Sequence, residues 1–151
     1  MKVKTKTDEE MWAFARTLGR QLRPREKGAT ILALSGDLGA GKTTFTQGIA
    51  MALGIQENVV SPTFVLMRQY RIPAERKLAW NQLVHIDAYR LGSDKDLAAL
   101  RFEEFSQNAM NIIVIEWPER IEAAIPKDSI RITFEIGDKS ERIIQIDYKF
   151  I

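Results

Sequence analysis

Residues 31–44 read ILALSGDLGAGKTT, and few folds accommodate such a run. An apolar segment, Ile31 to Leu34, leads into Gly36-Asp37-Leu38-Gly39-Ala40-Gly41-Lys42-Thr43, which satisfies G-x-x-x-x-G-K-T. The spacing predicts a strand, a tight loop and a helix in that order. Glycines let the loop turn and point its N–H groups inward, where side chains would intrude. Lys42 supplies a point charge suited to the β- and γ-phosphates of a nucleotide, and Thr43 opens the helix with a hydroxyl suited to Mg²⁺. The helix N-terminus turns its partial positive charge toward the same anion. Leu38, Gly39, Ala40, Gly41, Lys42, Thr43 and Thr44 are therefore the expected nucleotide contacts. With glycine near ~7% of residues, these four fixed positions arise by chance in well under ~1% of chains of this length.

The rest of the chain reads as helices and strands built around that loop. Thr7-Asp8-Glu9-Glu10 is a capping-box pattern. Met11, Phe14, Ala15, Leu18 and Leu22 follow at helical spacing, predicting an amphipathic helix over 8–22 that ends at Pro24. Gly28 is expected to precede the first strand. The helix after the loop runs over 43–53, with Phe45, Ile49, Ala50 and Leu53 on one face and Gly54 as its stop. Ser61-Pro62-Thr63 should be a loop before a strand over 64–71, because Pro62 has no N–H for a sheet ladder. A strand is expected over 83–87, then an acidic helical region through Phe105. Ile112-Ile113-Val114-Ile115 is a continuous apolar run, as in a strand buried on both faces. Near the end, Ile130, Ile132, Phe134 and Ile136, then Ile144, Ile146, Tyr148 and Phe150, alternate with polar residues around the turn 137–140. That is a hairpin covered on one face. The expected fold is a single α/β domain over 1–151: a P-loop three-layer sandwich with a mixed sheet and a C-terminal antiparallel hairpin.

Composition removes several classes of function. The 151 residues contain no cysteine, so there is neither a disulfide framework nor a thiolate metal site. No 18-residue apolar stretch is present, and the first residues, MKVKTKTDEEMW, lack an apolar signal core. A cytoplasmic protein is expected. The net charge of +2 is too small to argue for nucleic acid. Arg16, Arg20, Arg23, Arg25 and Lys27 form the one local excess, which reads as a solvated helix end and loop, with a partner-protein or RNA contact as the alternative.

In an open α/β sheet, ligands lie beyond the carboxyl ends of the strands. Ser61-Pro62-Thr63, Asp87 with Tyr89-Arg90, and Glu116-Trp117 all fall there. A P-loop enzyme needs a carboxylate on a second strand to hold Mg²⁺ or its waters. Glu116 is the favoured metal ligand with Thr43, because its strand is the most apolar and should adjoin the P-loop strand. Asp87 then holds a water of the metal's shell or orients the attacking water; the reverse assignment also satisfies the chemistry. Thr63, in a proline-restrained loop, suits a switch threonine facing the γ-phosphate and Mg²⁺. His85 reads as a packed, hydrogen-bonded histidine in preference to a catalytic one, and Trp117 as either core or a flank of the nucleotide or of a partner. Arg90 is the nearest transition-state cation, unless a partner supplies an arginine. No Asn-Lys-x-Asp guanine reader, Leu-Ser-Gly-Gly signature or arginine-rich kinase lid is present.

Taken together, GDLGAGKTT, SPTF (61–64), HIDAYRL (85–91) and EWPE (116–119) resemble the bacterial TsaE family, also called YjeE. The resemblance implies an ATPase required to form threonylcarbamoyladenosine on tRNA, next to the anticodon. It implies TsaD and TsaB as partners that carry the transfer chemistry, with tRNA met indirectly through that complex. ATP hydrolysis then supports turnover of the complex rather than activating the substrate. Under this resemblance Lys42 and Thr43 are the phosphate and Mg²⁺ ligands, and Thr63 is the switch-like threonine. Asp87 and Glu116 are the functional acids, with Trp117 the neighbouring tryptophan. Two positions depart from the family pattern: Met11 stands where a threonine near the base is frequent, and Ala88 where leucine is. Two other readings remain distinct. A small-molecule kinase, with Tyr89, Arg90 and 92–106 forming an acceptor pocket, would transfer phosphate to a metabolite. A nucleotide-sensing module would bind ATP without turnover.

Overall fold

The central strands form where apolar residues run without interruption. In the computed structural model, which describes residues 1–147, β1 spans Lys2–Thr5, β2 Thr30–Gly36, β3 Met67–Arg71, β4 Gln82–Asp87, β5 Asn111–Glu116, β6 Ile130–Ile136 and β7 Arg142–Ile146. They make one sheet in the order β1-β7-β6-β2-β5-β4-β3. β6, β2, β5 and β4 are mutually parallel, while β1 and β7 at one side and β3 at the other add antiparallel pairings. The sheet is thus mixed and open, as the sequence leads one to expect. All six residues of β5 are buried, because helices cover both faces of the sheet there.

Alternation divides the core into two layers. Leu32, Leu34, Ile112 and Val114 face the helices α1 (Asp8–Gln21) and α2 (Lys42–Ala52), where Met11, Leu18, Phe45 and Ile49 meet them. Ile31, Val84, Ile113 and Ile115 face the other way, toward α3 (Asp94–Ala99), α4 (Phe102–Gln107) and a 3₁₀ segment over Pro118–Ala124. Phe45 packs edge-on against Phe134 at 5.3 Å between centroids, tying α2 to β6. Thr7 caps α1 by accepting from the Glu10 N–H at 3.1 Å. Glu10 reaches back one residue further than the usual capping box, accepting from the Lys6 N–H at 2.6 Å.

Four local expectations are corrected. The first strand is β1, not β2: KVKT is too short and polar to show alternation, and its order comes from pairing with β7, Val3 opposite Ile144. The strand expected over 64–71 begins only at Met67. The Val65 and Leu66 N–H groups donate to the Pro62 carbonyl, and Leu66 takes a left-handed φ of 67°, so a turn consumes the first half. The helical region through Phe105 is two short helices, parted at Arg101 with φ 59°. The hairpin buries Ile132, Phe134, Ile144 and Ile146, while Ile136 at its tip is exposed. Tyr148 and Phe150, expected to continue it, lie outside the described residues.

Candidate active site

The phosphate loop is shaped where β2 meets β6. Gly36 has φ 148°, and a Cβ there would stand 2.5 Å from the Phe134 carbonyl oxygen, so no side chain fits. Gly41, with φ 103°, turns the chain into the first turn of α2. Lys42 follows and is only 5% exposed. Its Nζ donates to the carbonyls of Gly36 and Asp37 and sits 4.4 Å from the centroid of the Trp117 ring. Burial lowers the Lys42 pKa from its ordinary value, against the opposing pull of Glu116, Glu119, Asp87 and Asp37. The ammonium is thus held by carbonyl and ring contacts at the loop, with carboxylates nearby.

One cleft of about 470 Å³ gathers nearly all the residues expected from the sequence. Leu38, Gly39, Gly41, Lys42, Thr43, Thr44, Thr63, Asp87, Glu116 and Trp117 all line it. Ala40 does not. It is buried behind the loop, and its N–H donates to the Asp37 carbonyl at 3.1 Å, so that amide is used within the loop itself. Arg90 also stays outside the lining, its guanidinium lying 5.0 Å over the exposed Phe64 ring.

The two acids share a row of the sheet but not their partners. β4 and β5 place Asp87 opposite Glu116, and β2 places Leu34 beside Glu116. Both carboxylates are about as buried as core residues, at 5% and 4% exposed. Glu116 accepts from the Thr43 hydroxyl at 3.3 Å through one oxygen and contacts His85 Nε2 at 2.9 Å through the other. Asp87 accepts from the Thr63 hydroxyl at 3.0 Å and from the Tyr89 N–H at 2.9 Å. Ser61 completes the loop contact, 2.8 Å from Thr63. His85, fully buried, is the packed and hydrogen-bonded residue that its place within a strand suggests.

This donor set can be tested against Mg²⁺. Among the described residues there is no group of three or more His, Asp or Glu side chains able to hold an ion unaided. A hydroxyl and a carboxylate in contact at the loop, Thr43 and Glu116, are instead the hard oxygen pair that suits an ion whose remaining ligands are phosphate oxygens and water. The site fits nucleotide-borne Mg²⁺ better than a free-standing metal centre.

Four lining residues have no local signature in the sequence: Thr5, Lys6, Ser140 and Arg142. Arg142 donates from Nε to the Gly39 carbonyl at 3.0 Å, bracing the loop from 103 residues away. The β1–β7 pairing sets Thr5 opposite Arg142 and brings this wall of the cleft together. Thr5 also carries a buried hydroxyl without a hydrogen-bond partner. Opposite them, Trp117 takes a left-handed φ of 58°, which turns its indole over Lys42 and against Tyr89, 5.0 Å away.

Residues 5–144 match the protein family described as "Threonylcarbamoyl adenosine biosynthesis protein TsaE". The chain is 33% identical over 147 residues to a Bacillus subtilis protein named tRNA threonylcarbamoyladenosine biosynthesis protein TsaE, covering 95% of this chain and 83% of that one. A protein of the same name from Haemophilus influenzae is 35% identical over 115 residues, 76% of this chain and 68% of the relative. The crystal structure of Bacillus subtilis YdiB superposes with a TM-score of 0.71 at 30% identity, covering 97% of this chain and 83% of that one. The mixed seven-stranded sheet agrees with a match that runs through nearly the whole chain, and the chain belongs to the TsaE family.

Proposed function

We propose that the chain is a single P-loop ATPase domain that binds ATP with Mg²⁺, hydrolyses it slowly, and supports threonylcarbamoyladenosine formation on tRNA. The observation that carries this reading is one cleft holding the loop lysine, the Thr43–Glu116 pair and the Thr63–Asp87 pair. In phosphoryl transfer to water, positioning and electrostatics carry most of the catalysis. Lys42 and the N-terminus of α2 offset charge on the β- and γ-phosphates. Thr43 and Glu116 would hold Mg²⁺, which when bound would neutralise charge on the phosphate oxygens. Asp87 orients the attacking water, and Thr63 faces the γ-phosphate from the 61–66 loop. Trp117 flanks the nucleotide and excludes solvent from Lys42.

Arg142, which lines the described cleft, donates to the Gly39 and Glu141 carbonyls, and Arg90 lies over Phe64, so both guanidinium groups are otherwise engaged. A slow isolated enzyme is therefore expected, with the missing transition-state charge supplied on assembly. The partners proposed are TsaD and TsaB, and tRNA is engaged through their complex. The deciding experiment measures phosphate release from ATP with and without purified TsaD and TsaB. A clear rise in rate supports the reading; an unchanged rate with both partners present overturns it.

A further inference from the structure

The carboxylate of Glu116 has one strong donor, and it comes from beneath the site. β4 runs parallel to β5 with His85 opposite Val114 and Asp87 opposite Glu116. His85 therefore shares a face with Asp87, one row deeper in the sheet. It is fully buried and is not among the residues lining the cleft, whereas Glu116 is. The imidazole thus reaches Glu116 from the core side, at 2.9 Å, while the Thr43 hydroxyl meets the other carboxylate oxygen at 3.3 Å.

Histidine is a poor choice for this position if packing alone matters. Its sheet neighbours on that face, Leu83 and Val114, are apolar and fully buried. The Nδ1 atom is buried without any hydrogen-bond partner, a cost that leucine or valine would avoid. What the imidazole supplies is a directed N–H. With the proton on Nε2 it donates to the carboxylate, and Nδ1 keeps only a lone pair facing the core. Asp87 needs no such support, because the Tyr89 backbone N–H already fixes one of its oxygens.

We propose that His85 is a positioning residue for the metal: its Nε2–H holds one oxygen of Glu116 so that the other faces Thr43 and the ion bound with the nucleotide. The proposal rests on Glu116 being the metal ligand. Outer partners of this kind orient a ligand without touching the ion, and their removal typically weakens metal binding by about 10–100-fold.

The test measures ATP affinity of the full chain with Mn²⁺, standing in for Mg²⁺, and again in EDTA. His85→Leu is expected to lose about 10–100-fold in affinity with Mn²⁺ and to match the wild type in EDTA. His85→Gln, whose amide nitrogen reaches the Nε2 position, is expected to recover most of the loss. A residue that merely fills the core would lower both affinities together and would not distinguish glutamine from leucine. If His85→Leu does not fold, His85→Gln is compared with His85→Asn, whose amide reaches only the Nδ1 position. Equal Mn²⁺ dependence in those two overturns the proposal. So does a His85→Leu protein that binds Mn²⁺·ATP as the wild type does, or a wild type whose ATP affinity ignores Mn²⁺. A wild type that binds no ATP under either condition defeats the ATPase reading instead.

Discussion

Asp87 and Glu116 end adjacent parallel strands in the same register, yet their surroundings are opposite in kind. Glu116 is gripped by the core: His85 from below, Thr43 at the first turn of α2, and buried strands on either side. Asp87 is gripped by loops: Thr63 from the 61–66 turn and the Tyr89 N–H from the chain just after it. That turn carries Phe64 at 84% exposed and Val65 at 51%, so little packing restrains it. Glu116 is thus held by a buried histidine and a helix hydroxyl, and Asp87 by a loop hydroxyl and a backbone N–H, a difference that the identity of the two acids does not reveal.

Experiments can break this comparison in order of expected effect. Glu116→Ala or Lys42→Ala should remove ATP hydrolysis, a loss of at least about 10²-fold in steady-state phosphate release. Turnover near the wild-type level in Glu116→Ala would transfer the metal role to Asp87. Asp87→Asn should cost less, about 10-fold or somewhat more, because the amide oxygen still accepts from the Tyr89 N–H while its nitrogen donates to the Thr63 hydroxyl. Its effect should be non-additive with Thr63→Ala and additive with Thr43→Ser in a double-mutant cycle. The β5 side should also answer to packing. Ile112→Val, fully buried beneath the site, should cost about 0.5–1.5 kcal/mol in denaturant unfolding. Phe64→Ala should stay within about 0.5 kcal/mol, as exposed positions do. An equal loss at both positions would mean that the loop is held as firmly as the strand.

The smallest effect concerns Lys42. Burial lowers its pKa in the folded protein, so the unfolded chain binds that proton more tightly. This group's contribution to stability therefore rises as pH climbs from the lowered folded value toward the ordinary lysine value. Nucleotide affinity should fall over the same interval, because phosphate needs the charged ammonium. Binding measured across that interval in the wild type, against Lys42→Arg, checks the sign.

Much of this site was readable along the chain because its parts are local. The loop from Gly36 to Thr43 encodes its own turn, cation and hydroxyl within eight residues. The apolar run Ile112–Ile115 announces a buried strand, and a carboxylate directly after such a strand lies at the ligand end of the sheet. Short segments without periodicity are not legible in this way. KVKT in β1 has no signal of its own, and the turn after Pro62 shortened β3, because both depend on hydrogen bonds to partners that periodicity cannot identify. Ala40 lies within the motif, but that its N–H closes the loop on the Asp37 carbonyl is visible only in the folded chain.

The sequence by itself determined that a glycine-rich loop sits between a buried strand and a helix, with acids at two further strand ends. Glycine's backbone freedom and the hydrophobic pattern act over a few residues, so they survive being read one position at a time. Only the tertiary structure decided which acid meets Thr43, that His85 stands under Glu116, and that Arg142 braces Gly39 across 103 residues. Those contacts follow from the order and register of strands. Both are set by the summed packing of the whole sheet rather than by any one segment, and a shift of one residue in register would turn each of these side chains to the other face.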